Sequence, residues 1–439
     1  MNTPELLCPA GTYKNMQYAF AYGADAVYAG QPRYSLRVRN NDFSMDNLRK
    51  GIEEAHCQDK KFYVASNISP HNAKLKTYLT DMAPIVAMNP DALIMADPGL
   101  ISMVREKWPE QTIHLSVQAN TVNYAAVKFW QSIGIKRVIL SRELSLEEIE
   151  EIKQQCPEME LEVFVHGALC IAYSGRCLLS GYFNHRDPNQ GTCTNSCRWD
   201  YGVHPSEETD TGDVVKANGV VKFDPKNQSK TRDEVLLIEE RGRPGELMPM
   251  FEDEHGTYIM NSKDLRAVQH VQRLTEIGVN SLKIEGRTKS HYYTARTAQI
   301  YRRAIEDVVK GKPFDKSLMS ALDGLANRGY TEGFYRRHVP EEYQNYEQGN
   351  SLSTKQKFVG EVTQFDEATG ALSIDVKNKF SVGDRLEFMF PGGSKQFVLE
   401  SMTDMQGNVM DVAKGSGYQI KIPTPVDNPS MGLLMVNLE

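Results

Sequence analysis

Glu5-Leu6-Leu7-Cys8-Pro9-Ala10-Gly11 is followed, one helical stretch later, by Gly23-Ala24-Asp25-Ala26-Val27-Tyr28-Ala29-Gly30. Together they state a theme that the chain repeats. A short apolar run rich in β-branched residues or alanine ends in a small or polar residue, and a segment of helical period follows. The runs fall at residues 6–9, 26–29, 62–66, 92–96, 113–117, 137–140 and 161–165, with helical segments at 12–22, 45–57, 73–87, 99–107, 124–133 and 145–155. Alternation of this kind implies a parallel sheet, because parallel strands need a crossover helix between them. An eighth strand fits at 281–285. Eight units make a closed (β/α)8 barrel the leading expectation, with a doubly wound open sheet as the alternative.

Composition sets the outer limits. The 439 residues are 40% apolar and 24% charged, ordinary for a globular chain, and their number suits two or three domains. No apolar run approaches the roughly 20 residues that a membrane span needs, and residues 1–5 carry neither a basic nor an apolar leader. A cytoplasmic protein without membrane contact is expected. A formal charge of −7 argues against a protein that coats nucleic acid over its whole surface, but leaves room for a local basic site.

Residues 1–340 read as the barrel domain, broken near 202–233 by a polar insertion that is acidic over 205–213 and basic over 222–232. A hairpin pattern follows at 235–238, 247–251 and 257–260, and helical patterns return at 265–277 and 292–310. Residues 341–357 are a polar linker. The texture then changes to short alternating strands at 358–364, 371–376, 385–390, 396–402, 418–422 and 433–436, separated by glycine-bearing turns. That spacing predicts a small C-terminal all-β barrel domain over 358–439.

Polar residues recur at or just past the strand ends: Cys8, Tyr28, Asn67, Asp97, Gln118, Asn120, Arg142, Glu143, His166, Glu285 and Arg287. In a barrel these ends open on one face, where barrel enzymes keep their active sites. Each alone is most simply a loop residue with a local hydrogen bond; their recurrence is the signal. Four of the seven cysteines, Cys170, Cys177, Cys193 and Cys197, fall beyond the seventh run with gaps of six, fifteen and three residues, among Gly167, Gly175, Gly181 and Gly191. Four thiolates hold either zinc or an iron–sulfur cluster. Only the second pair has the tight spacing of a zinc knuckle, so the pattern favours a cluster modestly. Buried reduced cysteines are the plainer reading, and the better one for Cys8, Cys57 and Cys156.

These segments resemble a known family. Glu162-x-Phe164-x-x-Gly167-Ala168-Leu169-Cys170-x4-Gly175-x-Cys177 is similar to the signature of the collagenase-like peptidases, peptidase family U32. The opening segments quoted above, Ser116-Val117-Gln118-Ala119-Asn120, Asn261-Ser262-Lys263-Asp264-Leu265 and Leu282-Lys283-Ile284-Glu285-Gly286-Arg287 match it too, over nearly the whole chain. Within the family the likeness is strongest to members that hydroxylate tRNA. The resemblance implies prephenate-dependent 5-hydroxylation of the wobble uridine, with a [4Fe–4S] cluster on the four cysteines. tRNA, prephenate and iron–sulfur delivery or electron-donor proteins are the implied partners. A peptidase is the alternative, yet neither His-Glu-x-x-His nor Gly-x-Ser-x-Gly occurs in the chain. A cluster-bearing scaffold that only binds RNA is a further alternative.

Residue roles follow on that reading. Prephenate carries two carboxylates, so its site should present cations and donors in a fixed fork. Lys283 and Glu285 alternate with Leu282 and Ile284 and share one side of the eighth strand. Catalytic candidates are His166, Lys283 and Glu285; Gln118, Asn120, Asn261, Lys263 and Arg287 are candidates for binding the small molecule. Arg33, Arg37, Arg39 and Arg198 are candidate RNA contacts, joined by Lys355, Lys357, Lys377 and Lys379. A structural ion pair is the plain alternative for Lys283 and its carboxylate neighbour.

Overall fold

The computed structural model describes residues 3–35, 43–168, 201–208, 214–216, 236–240, 247–253, 256–259, 263–325, 327, 329–336 and 356–438. Eight parallel strands close on themselves: β1 (Glu5–Pro9), β2 (Ala26–Gly30), β3 (Lys61–Ser66), β4 (Ala92–Met95), β5 (Ile113–Leu115), β6 (Arg137–Ile139), β7 (Glu160–Ala168) and β8 (Ser281–Ile284). Each pairs with the next, and β8 pairs in parallel with both β7 and β1, so the ring has no free edge. The closed barrel replaces the open-sheet alternative.

Six helices follow the first six strands: α1 (Tyr13–Ala21), α2 (Met45–Cys57), α3 (Asn72–Val86), α4 (Pro98–Lys107), α5 (Tyr124–Ser132) and α6 (Leu146–Gln155). Their starts are written locally. Thr12, Ser44, Asp97, Asn123 and Ser145 each accept a backbone N–H of the first turn, and Ser145 with Glu148 completes a capping box. The helical pattern over 265–277 resolves into a strand at Asp264–Arg266, a short 3-10 turn and α7 (Val271–Ile277). The strand pairs antiparallel with the end of β7, which takes its first residues out of the helix. After β8 comes α8 (His291–Val309), whose buried face packs on α1 and α7.

The polar stretch near 202–233 contains two strands, Tyr201–Glu208 and Val214–Lys216. They join Leu236–Glu240, Leu247–Asp253 and Gly256–Ile259 in one five-stranded antiparallel sheet. Charged residues hid these strands, because a strand outside the barrel core need not carry an apolar run.

The C-terminal region is all-β: eight antiparallel strands in one sheet, from Gln356–Asp366 to Leu433–Asn437, plus a two-stranded pair. It packs on α1 and α8. Tyr292 stacks on Phe358 with centroids 5.0 Å apart, Tyr22 donates to the Met431 carbonyl at 2.8 Å, and Arg296 meets Glu387 at 2.8 Å. Glu361 sits among Lys14 (2.5 Å), His291 (2.8 Å) and Lys377 (3.0 Å). Burial pushes its carboxyl up, but these donors outweigh that and hold it well below the usual carboxylate range. Among the described residues no helix is long and apolar enough to cross a membrane.

Candidate active site at the carboxyl end of the barrel

Barrel interiors are ordinarily filled by branched apolar side chains. This one carries a charged column. At the amino end, Glu5 accepts from Arg137 (2.5 Å), Tyr63 (2.7 Å) and Ser281 (3.0 Å). Arg137 continues upward to Glu162 (3.3 Å), and Glu162 accepts from Lys283 at 2.8 Å. Strand register explains the stack: Glu5 is level with Ser281, Ser281 with Glu162, and Lys283 with Phe164. Burial raises the Glu5 carboxyl, yet Arg137, Tyr63 and Lys61 more than offset this and it ends below its ordinary value. Burial works the other way on Lys283. It disfavours the ammonium, and Glu162 restores only part, so its pKa falls.

Above Lys283, at the carboxyl-end mouth of the barrel, rings and charged groups gather, with Tyr28, Phe164, Glu285 and Arg287 all buried. The Lys283 Nζ lies 4.2 Å from the Tyr28 centroid and 5.6 Å from that of Phe164. Arg287 lies 5.5 Å from the Tyr28 ring and donates to Ser35 Oγ at 3.0 Å. Arg142 stacks at 3.6 Å on Phe164 and stands 3.8 Å from Glu285. Glu285 also accepts the Gly286 N–H at 3.1 Å. The glycines here give room: a Cβ on Gly30 would meet Ser35 Oγ at 2.6 Å and Arg287 at 3.2 Å. Gly167, at φ +102°, passes so close to the Glu285 carbonyl that a Cβ would lie 2.3 Å from it.

Of the residues singled out from sequence, Lys283, Glu285 and Arg287 are brought together, all buried. His166 stands apart. The register on β7 skips Val165, so His166 pairs with outward-facing Ile284 instead of continuing the inward row of Glu162 and Phe164. Its ring packs among Tyr293, Tyr301 and Tyr330 at 5.5–5.8 Å. Burial, then Arg266 and Lys289, lowers its pKa to about 3, so it is a neutral member of that tyrosine cluster at ordinary pH. Gln118 is exposed, and the left-handed Asn120 (φ +52°) donates to the Gln118 carbonyl at 3.3 Å. Lys263 is half-buried, its stem facing Gly329. Asn261, Cys170, Cys177, Cys193 and Cys197 lie outside the described residues, though β7 ends at Ala168, two residues before Cys170.

Of the RNA candidates, Arg33 is exposed and paired with Asp81 at 2.8 Å, and Lys357 and Lys379 are exposed. Lys377 is tied to Asp375 (2.7 Å) and Glu361. Arg37, Arg39, Arg198 and Lys355 lie outside the described residues. Glu162 and Arg142 received no role from sequence. The signal for Glu162 was its place two residues before Phe164 on an apolar strand; for Arg142 it was its place just past β6.

A barrel that gathers buried cations, aromatic rings and a carboxylate at its carboxyl end has the build of a barrel enzyme, whose active site lies at that end. The model of peptidase family U32 matches residues 11–345 and that of the U32 C-terminal domain matches 354–435, so the chain belongs to peptidase family U32. It is 63% identical over 448 aligned residues to tRNA hydroxylation protein P of Escherichia coli, covering 100% of this chain and 97% of that one. Its identity to tRNA hydroxylation protein P of Haemophilus influenzae is 60%, covering 99% and 96%. A collagenase of Porphyromonas gingivalis is 26% identical, covering 96% and 95%.

Proposed function

We propose that this protein hydroxylates tRNA, at carbon 5 of the wobble uridine, with prephenate as co-substrate and a [4Fe–4S] cluster on Cys170, Cys177, Cys193 and Cys197. The observation that carries the tRNA reading is the 63% identity, end to end, to a protein named for tRNA hydroxylation. The co-substrate reading is supported by the mouth, where Lys283 and Arg287 offer donors suited to carboxylates while Tyr28 and Phe164 offer flat apolar contact. Four thiols in a segment that leaves β7 at its carboxyl end suit a cluster. A bound cluster would supply redox chemistry. The chain's own part is to bind and orient: Arg287 and Lys283 fix the co-substrate, Glu285 holds the cations apart, and the rings exclude water. Exposed Arg33, Lys357 and Lys379 are proposed phosphate contacts for tRNA.

Two measurements test this reading. Protein purified without oxygen should hold about four iron and four sulfide per chain, and Cys193→Ala should lose them. Stoichiometric zinc in place of iron would refute the cluster. In cells lacking the native gene, the wild-type chain should restore hydroxylated wobble uridine, measured by mass spectrometry of tRNA nucleosides. Arg287→Lys keeps the charge but loses the planar fork, so it should cut restoration on the order of 10-fold or more with iron content unchanged. Full restoration by Arg287→Lys together with Lys283→Met would move the small-molecule site off this mouth.

A further inference from the structure

Two guanidinium groups at the mouth are stacked on the two rings that flank Lys283. Arg142 lies 3.6 Å from the Phe164 centroid and Arg287 lies 5.5 Å from that of Tyr28. Across the mouth the order is thus Arg142, Phe164, Lys283, Tyr28, Arg287. Lys283 is already matched by Glu162 at 2.8 Å. The two arginines are not matched in the same way. Among the described residues the carboxylate paired with Arg142 is Glu285, at 3.8 Å, too far for a hydrogen bond. Arg287 donates to one hydroxyl, and among the described residues its buried Nε has no partner. Both side chains are more than nine-tenths buried, Arg142 at 7% exposure and the whole Arg287 residue at 8%. A buried guanidinium nitrogen without a partner, as at Arg287 Nε, is costly. Stacking on a ring holds its plane while leaving its edge available for a two-pronged bond to a carboxylate.

We propose that Arg142 and Arg287 together recognise a small dicarboxylate with a flat unsaturated body, one carboxylate on each guanidinium and the body over Lys283 between Tyr28 and Phe164. The assignment rests on the reading that this mouth takes an anionic co-substrate, and it adds Arg142 as the residue that selects for two carboxylates over one. Glu285 then balances Arg142 electrostatically until the ligand carboxylate replaces it as the nearer anion. Its bond to the Gly286 N–H keeps it in place.

The test is calorimetric titration of the full-length protein at fixed ionic strength with two probes. Prephenate carries two carboxylates, whereas phenylpyruvate has a similar skeleton and one. Wild type should prefer prephenate by on the order of 10- to 100-fold, the worth of a charge-assisted fork. Arg142→Met should abolish that preference while leaving phenylpyruvate affinity within about twofold. Arg142→Lys, which keeps charge and packing, should retain only part of it, and Arg287→Met should weaken both probes. Thermal unfolding of each variant reports folding, and Arg142→Lys stands as the readout if the methionine variant unfolds. An intact preference in a folded Arg142→Met or Arg142→Lys variant overturns the assignment and leaves the co-substrate reading standing. A wild-type protein that binds neither probe overturns both.

Discussion

Glu162→Gln is expected to lower folding stability by about 3–5 kcal/mol, the cost of breaking a buried ion pair from one side. Glu162 has no solvent exposure, and its two oxygens face different cations, Lys283 at 2.8 Å and Arg137 at 3.3 Å. Glutamine keeps the volume and removes the charge. Its amide nitrogen would have to point at one of two buried cations. Arg137 keeps Glu5 and Glu160 as partners, so the loss falls mainly on Lys283, whose pKa burial already depresses. The sign can be checked by pairing: Glu162→Leu with Lys283→Met removes both charges and should recover much of the loss, because a matched apolar pair escapes the desolvation that the ion pair bears. Urea unfolding of the single and double variants measures both quantities. A single-variant loss under about 1 kcal/mol, the range of exposed pairs, would mean that water reaches the column. The same variant should depress tRNA hydroxylation beyond its effect on folded protein, since Lys283 loses the contact that aims it.

The column also shows which parts of the molecule could be read beforehand. All eight barrel strands fall within a few residues of the apolar runs, since buried parallel strands must be apolar and each must lead to a helix. Glu162 and Lys283 each interrupt such a run, and each alone looks like a strand-end polar residue. Their pairing depends on β7 lying beside β8, a contact between segments 121 positions apart that only barrel closure creates. His166 was misplaced for a more local reason. Alternation from Phe164 aims it into the barrel, and a single bulge at Val165 turns it outward. Arg142 has no strand periodicity to mark it, and its meaning lies in the Phe164 ring on the next strand. Three strands of the outer sheet follow the hairpin pattern at 235–260, whereas Tyr201–Glu208 and Val214–Lys216 escaped because they lie in a charged, polar stretch outside the barrel.

Gly11→Ala should leave the barrel folded and disable the mouth. Gly11 lies just past β1, and a Cβ there would stand 1.8 Å from the Arg287 carbonyl oxygen and 2.9 Å from its carbonyl carbon. Both are backbone atoms, so no rotamer change relieves the clash. The segment after β8 must shift by more than an ångström, and Arg287 shifts with it. Overpacking of this kind costs about 1–3 kcal/mol, which a chain of this size tolerates. The site is less forgiving. A displacement of about 1 Å is enough to cost on the order of 100-fold where binding depends on a fixed fork. The Arg287–Ser35 bond and the Arg287–Tyr28 contact, which hold that fork, would both be lost. tRNA hydroxylation in complemented cells should therefore fall by about that factor. With the proposed cluster on the four cysteines, iron content should stay at the wild-type value, because the cysteines follow β7 and Gly11 follows β1. Arg287→Met in the Gly11→Ala background should add nothing further, since the two changes remove the same interaction. A Gly11→Ala protein that is soluble, iron-loaded and fully active would show that the position of Arg287 is immaterial to the reaction, and would remove it from the site.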